Sequence, residues 1–178
     1  EGAISKTCFE SINNGGQFII GNSMPIRDVD MFTSISINKV TTFSNRGASG
    51  IDGVISTALG TCIGKNNIQS LLLIGDLSLY HDMNGLLAAK HKLNLTIVII
   101  NNGGGGIFSF LPIADAGMKK YDQFWMTDTG LDIEKIAILY NCKYYYSKNI
   151  NELENNIKSS YNETGVKIIE IKTIITEN

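Results

Sequence analysis

The 178-residue chain has little proline (two residues), little cysteine (three) and a single tryptophan. Cys8, Cys62 and Cys142 are odd in number, scattered and without CxxC spacing. That disfavours a disulfide framework or a zinc site and suits a reducing compartment with the thiols in the core. Positive charge is not in excess: the formal net charge is −2. The chain lacks the electrostatic footprint of a nucleic-acid binder. Long apolar runs are also missing. The longest, Leu71 to Ile74 and Ile97 to Ile100, have strand length, far short of the roughly 20 residues that cross a bilayer. No signal peptide is visible, and the expected location is the cytoplasm, or a plastid if the source is an alga. No glycine run is followed by Gly-Lys-Ser/Thr, which argues against a P-loop, and no Ser/His/Asp order or nucleophile elbow is present.

The composition that remains is that of a globular domain, with 43% apolar and 18% charged residues. Short apolar segments alternate with helical patterns. The spacing predicts helices over 3–13, 26–33, 50–64, 80–92, 132–141 and 150–161, the fifth capped by Asp132. It predicts strands over 17–21, 39–43, 70–74, 95–100, 142–146 and 166–172. Continuous apolar strands bounded by helices imply an α/β fold with a mainly parallel sheet covered on both faces. A long irregular stretch runs from the glycines at 103–106 to about Gly130, and such stretches are usually functional or mobile.

Ligands of a parallel sheet sit beyond the carboxyl ends of its strands. Four strand ends carry polar or glycine-rich loops: Gly21-Asn22-Ser23, Ser44-Asn45-Arg46-Gly47, Gly75-Asp76-Leu77-Ser78 and Asn101-Asn102-Gly103-Gly104. Asp76 offers a charged oxygen to a hard cation, and Ser78 with the first helical N–H groups suits an anion. The plainer alternative is that Asp76 or Ser78 only caps the following helix. Asn102 and a loop carbonyl would be neutral ligands, and four successive glycines cost enough chain entropy to ask for a reason. Asp76 and Asn102 close consecutive strands about 25 residues apart, room for one helix, so both can reach one ion. Asn22 and Ser23 could contact a phosphate. Arg27 and Arg46 are fixed cations suited to gripping carboxylates, although surface ion pairs explain each in isolation. His81, His91 and the Tyr144–Tyr146 run have ordinary surface and packing readings.

Together the blocks GNSMPIRDVD (21–30), SNRGASGIDG (44–53), GDLSLYHDMN (75–84) and NNGGGGIFSFLP (101–112) resemble the thiamine diphosphate enzymes, and among them the menaquinone-pathway synthases. Leu77 stands where the family usually has a third glycine, and Gly103 where it often has Asp or Asn. The resemblance implies the thiamine diphosphate-binding fold and a magnesium cofactor, with manganese as an alternative. It implies that Asp76, Asn102 and Gly104 bind the metal. Asn22, Ser23, Gly75, Leu77 and Ser78 would contact the diphosphate, and Ile51 would hold the cofactor bent. Arg27 and Arg46 would grip substrate carboxylates, and Phe108 and Leu111 would line the reacting end.

The reaction implied is decarboxylation of 2-oxoglutarate and addition of the resulting carbanion equivalent to isochorismate, serving menaquinone or phylloquinone biosynthesis. Family enzymes have three domains, so residues 1–178 are expected to be the diphosphate-binding domain of a longer homo-oligomeric transferase. An upstream pyrimidine-binding domain, in the same or another chain, would be its partner, and the chain alone is expected to be inactive. Alternatives are an acetolactate-synthase-like or decarboxylase domain, a non-catalytic or split partner module with an incomplete cofactor site, and a generic nucleotide-binding fold.

Overall fold

A computed structural model describes residues 1–35, 38–65, 68–117 and 119–174. The sheet is built from β1 (Gln17–Ile20), β2 (Thr41–Phe43), β3 (Ser70–Gly75), β4 (Leu95–Asn101), β5 (Lys143–Ser147) and β6 (Val166–Lys172). All six strands are parallel, in the order β2-β1-β3-β4-β6-β5. The helices are α1 (Gly2–Glu10), α2 (Met24–Phe32), α3 (Val54–Ile63), α4 (Asp76–Asp82), α5 (Ile133–Leu139) and α6 (Ile150–Ser160).

The central strands have no solvent face, so they are apolar throughout rather than alternating. Leu71, Leu72, Leu73 and Ile74 of β3 are all fully buried. Successive side chains still point to opposite faces. Leu72, Ile74, Ile97 and Ile99 pack with α3 and α5, whereas Leu71, Leu73, Val98 and Ile100 pack with α1 and α6. Cys8, Cys62 and Cys142 are free and buried in these two cores, as their scatter implied. Among the described residues no helix is long and apolar enough to cross a membrane.

The elements depart from the sequence expectations where local chemistry intervenes. The fourth helical segment begins at Asp76, directly against β3, instead of at residue 80, and passes into a tighter 3₁₀ run over Met83–His91. The third helix starts only at Val54, because residues 50–53 form a loop that ends in Gly53 at φ 58°. Pro25 falls within the first turn of α2, where its missing N–H has no helical partner to lose. Asp132 caps α5 as expected, accepting the Lys135 N–H at 3.1 Å. The stretch after the glycines is not wholly irregular: it holds a 3₁₀ turn at Gly106–Phe110 and a π turn at Asp122–Met126.

Lys167 lies within β6 with 2% of its surface exposed, and its Nζ donates to the Glu163 carbonyl at 3.1 Å. Burial pulls its pKa down to about 8, against roughly 10.4 for a free lysine. Between those values the unfolded chain keeps a proton that the folded chain has lost, so this group makes stability rise with pH. Below pH 8 the full cost of burying the charge remains. Lys167→Met is therefore expected to stabilise the fold by roughly 1–3 kcal/mol at pH 7. That gain should shrink as pH climbs past 8, read by urea unfolding at pH 7 and 9.5. An advantage that is constant with pH would contradict it.

Candidate functional site

The register of β3 and β4 sets the site. Gly75 pairs with Ile100, so the chain leaves the two strands side by side, into α4 on one and into Asn101-Asn102-Gly103-Gly104 on the other. β1 lies against β3 on the far side and delivers Asn22 and Ser23 to the same edge. Here the structure opens a pocket of about 140 Å³. Asp76, Leu77, Ser78 and Gly75 form one wall, Asn102 and Gly104 another, Asn22 and Ser23 a third, and Ile51 and Phe108 close it. The Met24, Pro25, Ile100 and Ile107 side chains add apolar surface that the motif reading did not include.

Asp76 is buried, and desolvation is the main reason its pKa rises to about 6. Backbone N–H groups of Leu77, Asp76 itself and Gly104 hold the rise back, while Asp128 adds to it. A carboxylate in so dry a place holds its proton more readily than one in water. Asn102 donates its Nδ2 to Glu1 Oε1 at 2.8 Å, and its Oδ1 is buried with no hydrogen-bond partner among the described residues. An orphaned buried acceptor of this kind asks for a cation or water. Gly104 has φ 131°, and a Cβ there would lie 2.0 Å from the Met126 carbonyl oxygen, so only glycine fits. Its carbonyl already accepts the Gly106 N–H at 3.0 Å, which leaves one lone pair.

One carboxylate, one amide oxygen and one main-chain carbonyl form a hard-oxygen donor set, suited to Mg²⁺ shared with a phosphate. Zinc is poorly served: among the described residues no three His, Cys, Asp or Glu side chains gather at one point. The residues present therefore fit a magnesium–diphosphate group.

The capping alternative for Ser78 does not hold. The N-cap of α4 is Gly75, and the Ser78 hydroxyl donates to the Ile51 carbonyl at 2.7 Å, tying α4 to the loop before α3. Asn22 is likewise committed internally. Its Nδ2 donates to the carbonyls of Asn45 (3.1 Å) and Gly50 (2.6 Å), and its Oδ1 accepts from Arg46 Nη1 at 2.8 Å. Asn22 thus locks the 44–50 loop to the pocket floor rather than offering it a free polar atom. Ser23 sits at φ 71°, ψ −130°, a strained geometry for a residue with a Cβ.

Arg27 and Arg46 are brought together, but in a neighbouring groove of about 580 Å³ beside β1 and β2. Arg27 Nη1 donates to the Ser23 carbonyl at 2.5 Å, so the groove and the pocket share a wall. Leu111, 46% exposed, lies outside the pocket lining, whereas Phe108 lines it and stacks edge-on against Trp125 at 5.1 Å. Sequence reasoning missed Glu1, Asp128, and the backbone of Trp125 and Met126 that roofs Gly104 and Gly105. Only the length of the irregular stretch hinted at the last three.

The family model for the thiamine pyrophosphate enzyme C-terminal TPP-binding domain matches residues 29–171. The chain is 49% identical over its whole length to a 2-succinyl-5-enolpyruvyl-6-hydroxy-3-cyclohexene-1-carboxylate synthase of Listeria monocytogenes (strain F2365), and 45% identical to that of Oceanobacillus iheyensis. It spans about a third of the length of these relatives, 30% in both cases. A solved thiamin diphosphate-dependent enzyme from Mycobacterium smegmatis superposes with a TM-score of 0.76 at 20% identity, covering 97% of this chain and 31% of that one, which speaks to the fold. The parallel sheet, the four convergent loops and the match across most of the chain lead to one statement: this chain belongs to the thiamine pyrophosphate enzyme family, as its C-terminal cofactor-binding domain.

Proposed function

We propose that the pocket binds thiamine diphosphate through Mg²⁺, and that the chain is the diphosphate-holding part of a longer synthase of the kind its relatives are named for. The observation that carries the reading is the buried, unpartnered Asn102 Oδ1 on the strand end beside buried Asp76. Asp76, Asn102 and the Gly104 carbonyl would hold the metal. Ser23 and the first N–H groups of α4, at Leu77 and Ser78, would face the diphosphate oxygens. Ile51 and Phe108 provide apolar surface that would exclude water from the reacting end. When bound, the cofactor supplies the electron sink for decarboxylation next to a carbonyl.

The substrates we assign are 2-oxoglutarate and isochorismate. Each carries two carboxylates, and Arg27 and Arg46 line one groove next to the pocket. The groove between them is continuous with Ser23 through the Arg27 contact. A site for pyruvate-type keto acids, with one carboxylate each, would have less use for two guanidinium groups, which favours this reading over the acetolactate-synthase one. We further propose that an upstream pyrimidine-binding domain completes the site and that the complete enzyme is a homo-oligomeric transferase. The relatives' greater length supports a further domain.

Calorimetric titration of thiamine diphosphate into the chain, with and without Mg²⁺, tests the cofactor reading. Binding that requires Mg²⁺ and weakens at least about tenfold in Asp76→Ala is expected. Metal-independent binding, or binding unchanged in the variant, would contradict it. Ser23→Gly should separate stability from function. Relief of the φ 71° strain is expected to raise stability by about 1 kcal/mol, while loss of the hydroxyl weakens cofactor binding. A chain that becomes less stable, seen by thermal unfolding, would contradict the strain argument.

A further inference from the structure

The amide pair Asn101-Asn102 is gripped from two sides by carboxylates. Glu170 of β6 is 4% exposed, and its two oxygens meet neutral donors. Its Oε1 accepts from Asn101 Nδ2 at 2.7 Å, and its Oε2 accepts from Tyr144 OH of β5 at 2.6 Å. Glu1 Oε1 accepts from Asn102 Nδ2 at 2.8 Å and from Thr173 Oγ1 at 3.0 Å. An ionised carboxylate only accepts hydrogen bonds, so each amide must turn its nitrogen toward its glutamate. The oxygen of each amide is thereby forced to the opposite side. Asn101 Oδ1 takes the Gly103 N–H at 3.3 Å and shapes the turn that carries Gly104. Asn102 Oδ1 is left buried at the pocket wall, without a partner among the described residues.

We propose that Glu170 and Glu1 are positioning residues that fix the orientation of these two amides and so present the Asn102 oxygen to the cation; this rests on the cofactor reading above. A buried carboxylate costs stability that an apolar side chain of equal size would not. The acceptor-only chemistry gives that cost a purpose, because a neutral amide in its place could pair in either orientation. β6 and β4 are paired in register, with Glu170 opposite Ile99, and Thr173 N donates to the Asn101 carbonyl at 3.0 Å. The strand carrying the first clamp is therefore fixed to the strand carrying the amides.

The test is a charge-swapped pair. Asn101→Asp sets two carboxylates against each other and is expected to weaken Mg²⁺-dependent thiamine diphosphate binding about tenfold to a hundredfold. Adding Glu170→Gln restores one donor facing one acceptor, and the double variant should recover most of the affinity. A purely structural role predicts no such recovery. On the other side, Glu1→Ala should weaken binding similarly, while Glu1→Gln, which still offers an acceptor oxygen but can also pair in the flipped orientation, should weaken it by less. If Glu1→Ala binds as tightly as the parent chain, the proposal is overturned. It is also overturned if the double variant binds no better than Asn101→Asp alone. The side-chain amide protons of Asn101 and Asn102, followed by NMR hydrogen exchange, provide a readout that needs no ligand. Both should exchange slowly in the parent chain, with the first released by Glu170→Leu and the second by Glu1→Ala. Failure of the parent chain to bind the cofactor would count against the cofactor reading alone, and the amide exchange would then decide the clamp by itself.

Discussion

Everything at this site depends on the parallel pairing of β3 with β4. Because Gly75 stands opposite Ile100, the two chains emerge together at one edge, one entering a helix and the other a glycine loop. A carboxylate and an amide oxygen are thus brought to the same pocket. The pairing is strongly specified. Leu71 through Ile74 and Ile97 through Ile99 are fully buried, and their alternate members supply both cores. A slip of one residue would exchange the two cores and carry Asp76 away from Asn102.

The sheet core keeps this edge dry, and that dryness shifts the chemistry of the groups placed there. Asp76 would be an ordinary carboxylate in water. Here burial lifts its pKa to about 6 and leaves it in want of a counter-charge. Beside it, Asn102 Oδ1 is buried with no hydrogen-bond partner among the described residues. Two groups destabilised by the same cause stand on adjacent strand ends, and the hard cation we propose there would offset that cost. The loop that carries Asn102 adds its own constraint. Gly104 admits no side chain beneath the Met126 carbonyl, and Gly105 donates its N–H to that same oxygen at 2.6 Å.

Much of this was legible in the sequence, for physical reasons. The parallel sheet showed in its continuous apolar strands, and the convergence of Asp76 and Asn102 on one pocket in a spacing that allows one crossover helix. What was hidden is what depends on packing between distant segments. Asn22 reads as a polar residue free to meet a phosphate, yet three partners from the 44–50 loop occupy it. Arg27 and Arg46 read as part of the pocket and lie in the groove beside it. Tyr144 reads as strand packing, yet its hydroxyl belongs to the Glu170 network. Nothing local in the sequence marks Glu170 as buried among polar partners, since an acidic residue in a terminal strand most often faces water.

The central claim is that Asp76, Asn102 and Gly104 share one divalent cation at the β3/β4 edge. Paramagnetic Mn²⁺ titrated into the isotope-labelled chain in the presence of thiamine diphosphate tests it most directly. The account predicts that the backbone signals of Leu77, Asn102 and Gly104 broaden first, at sub-stoichiometric metal, and that Asp76→Ala removes the effect. Broadening that begins instead around Asp115 or Asp122, with those three signals untouched, would contradict it.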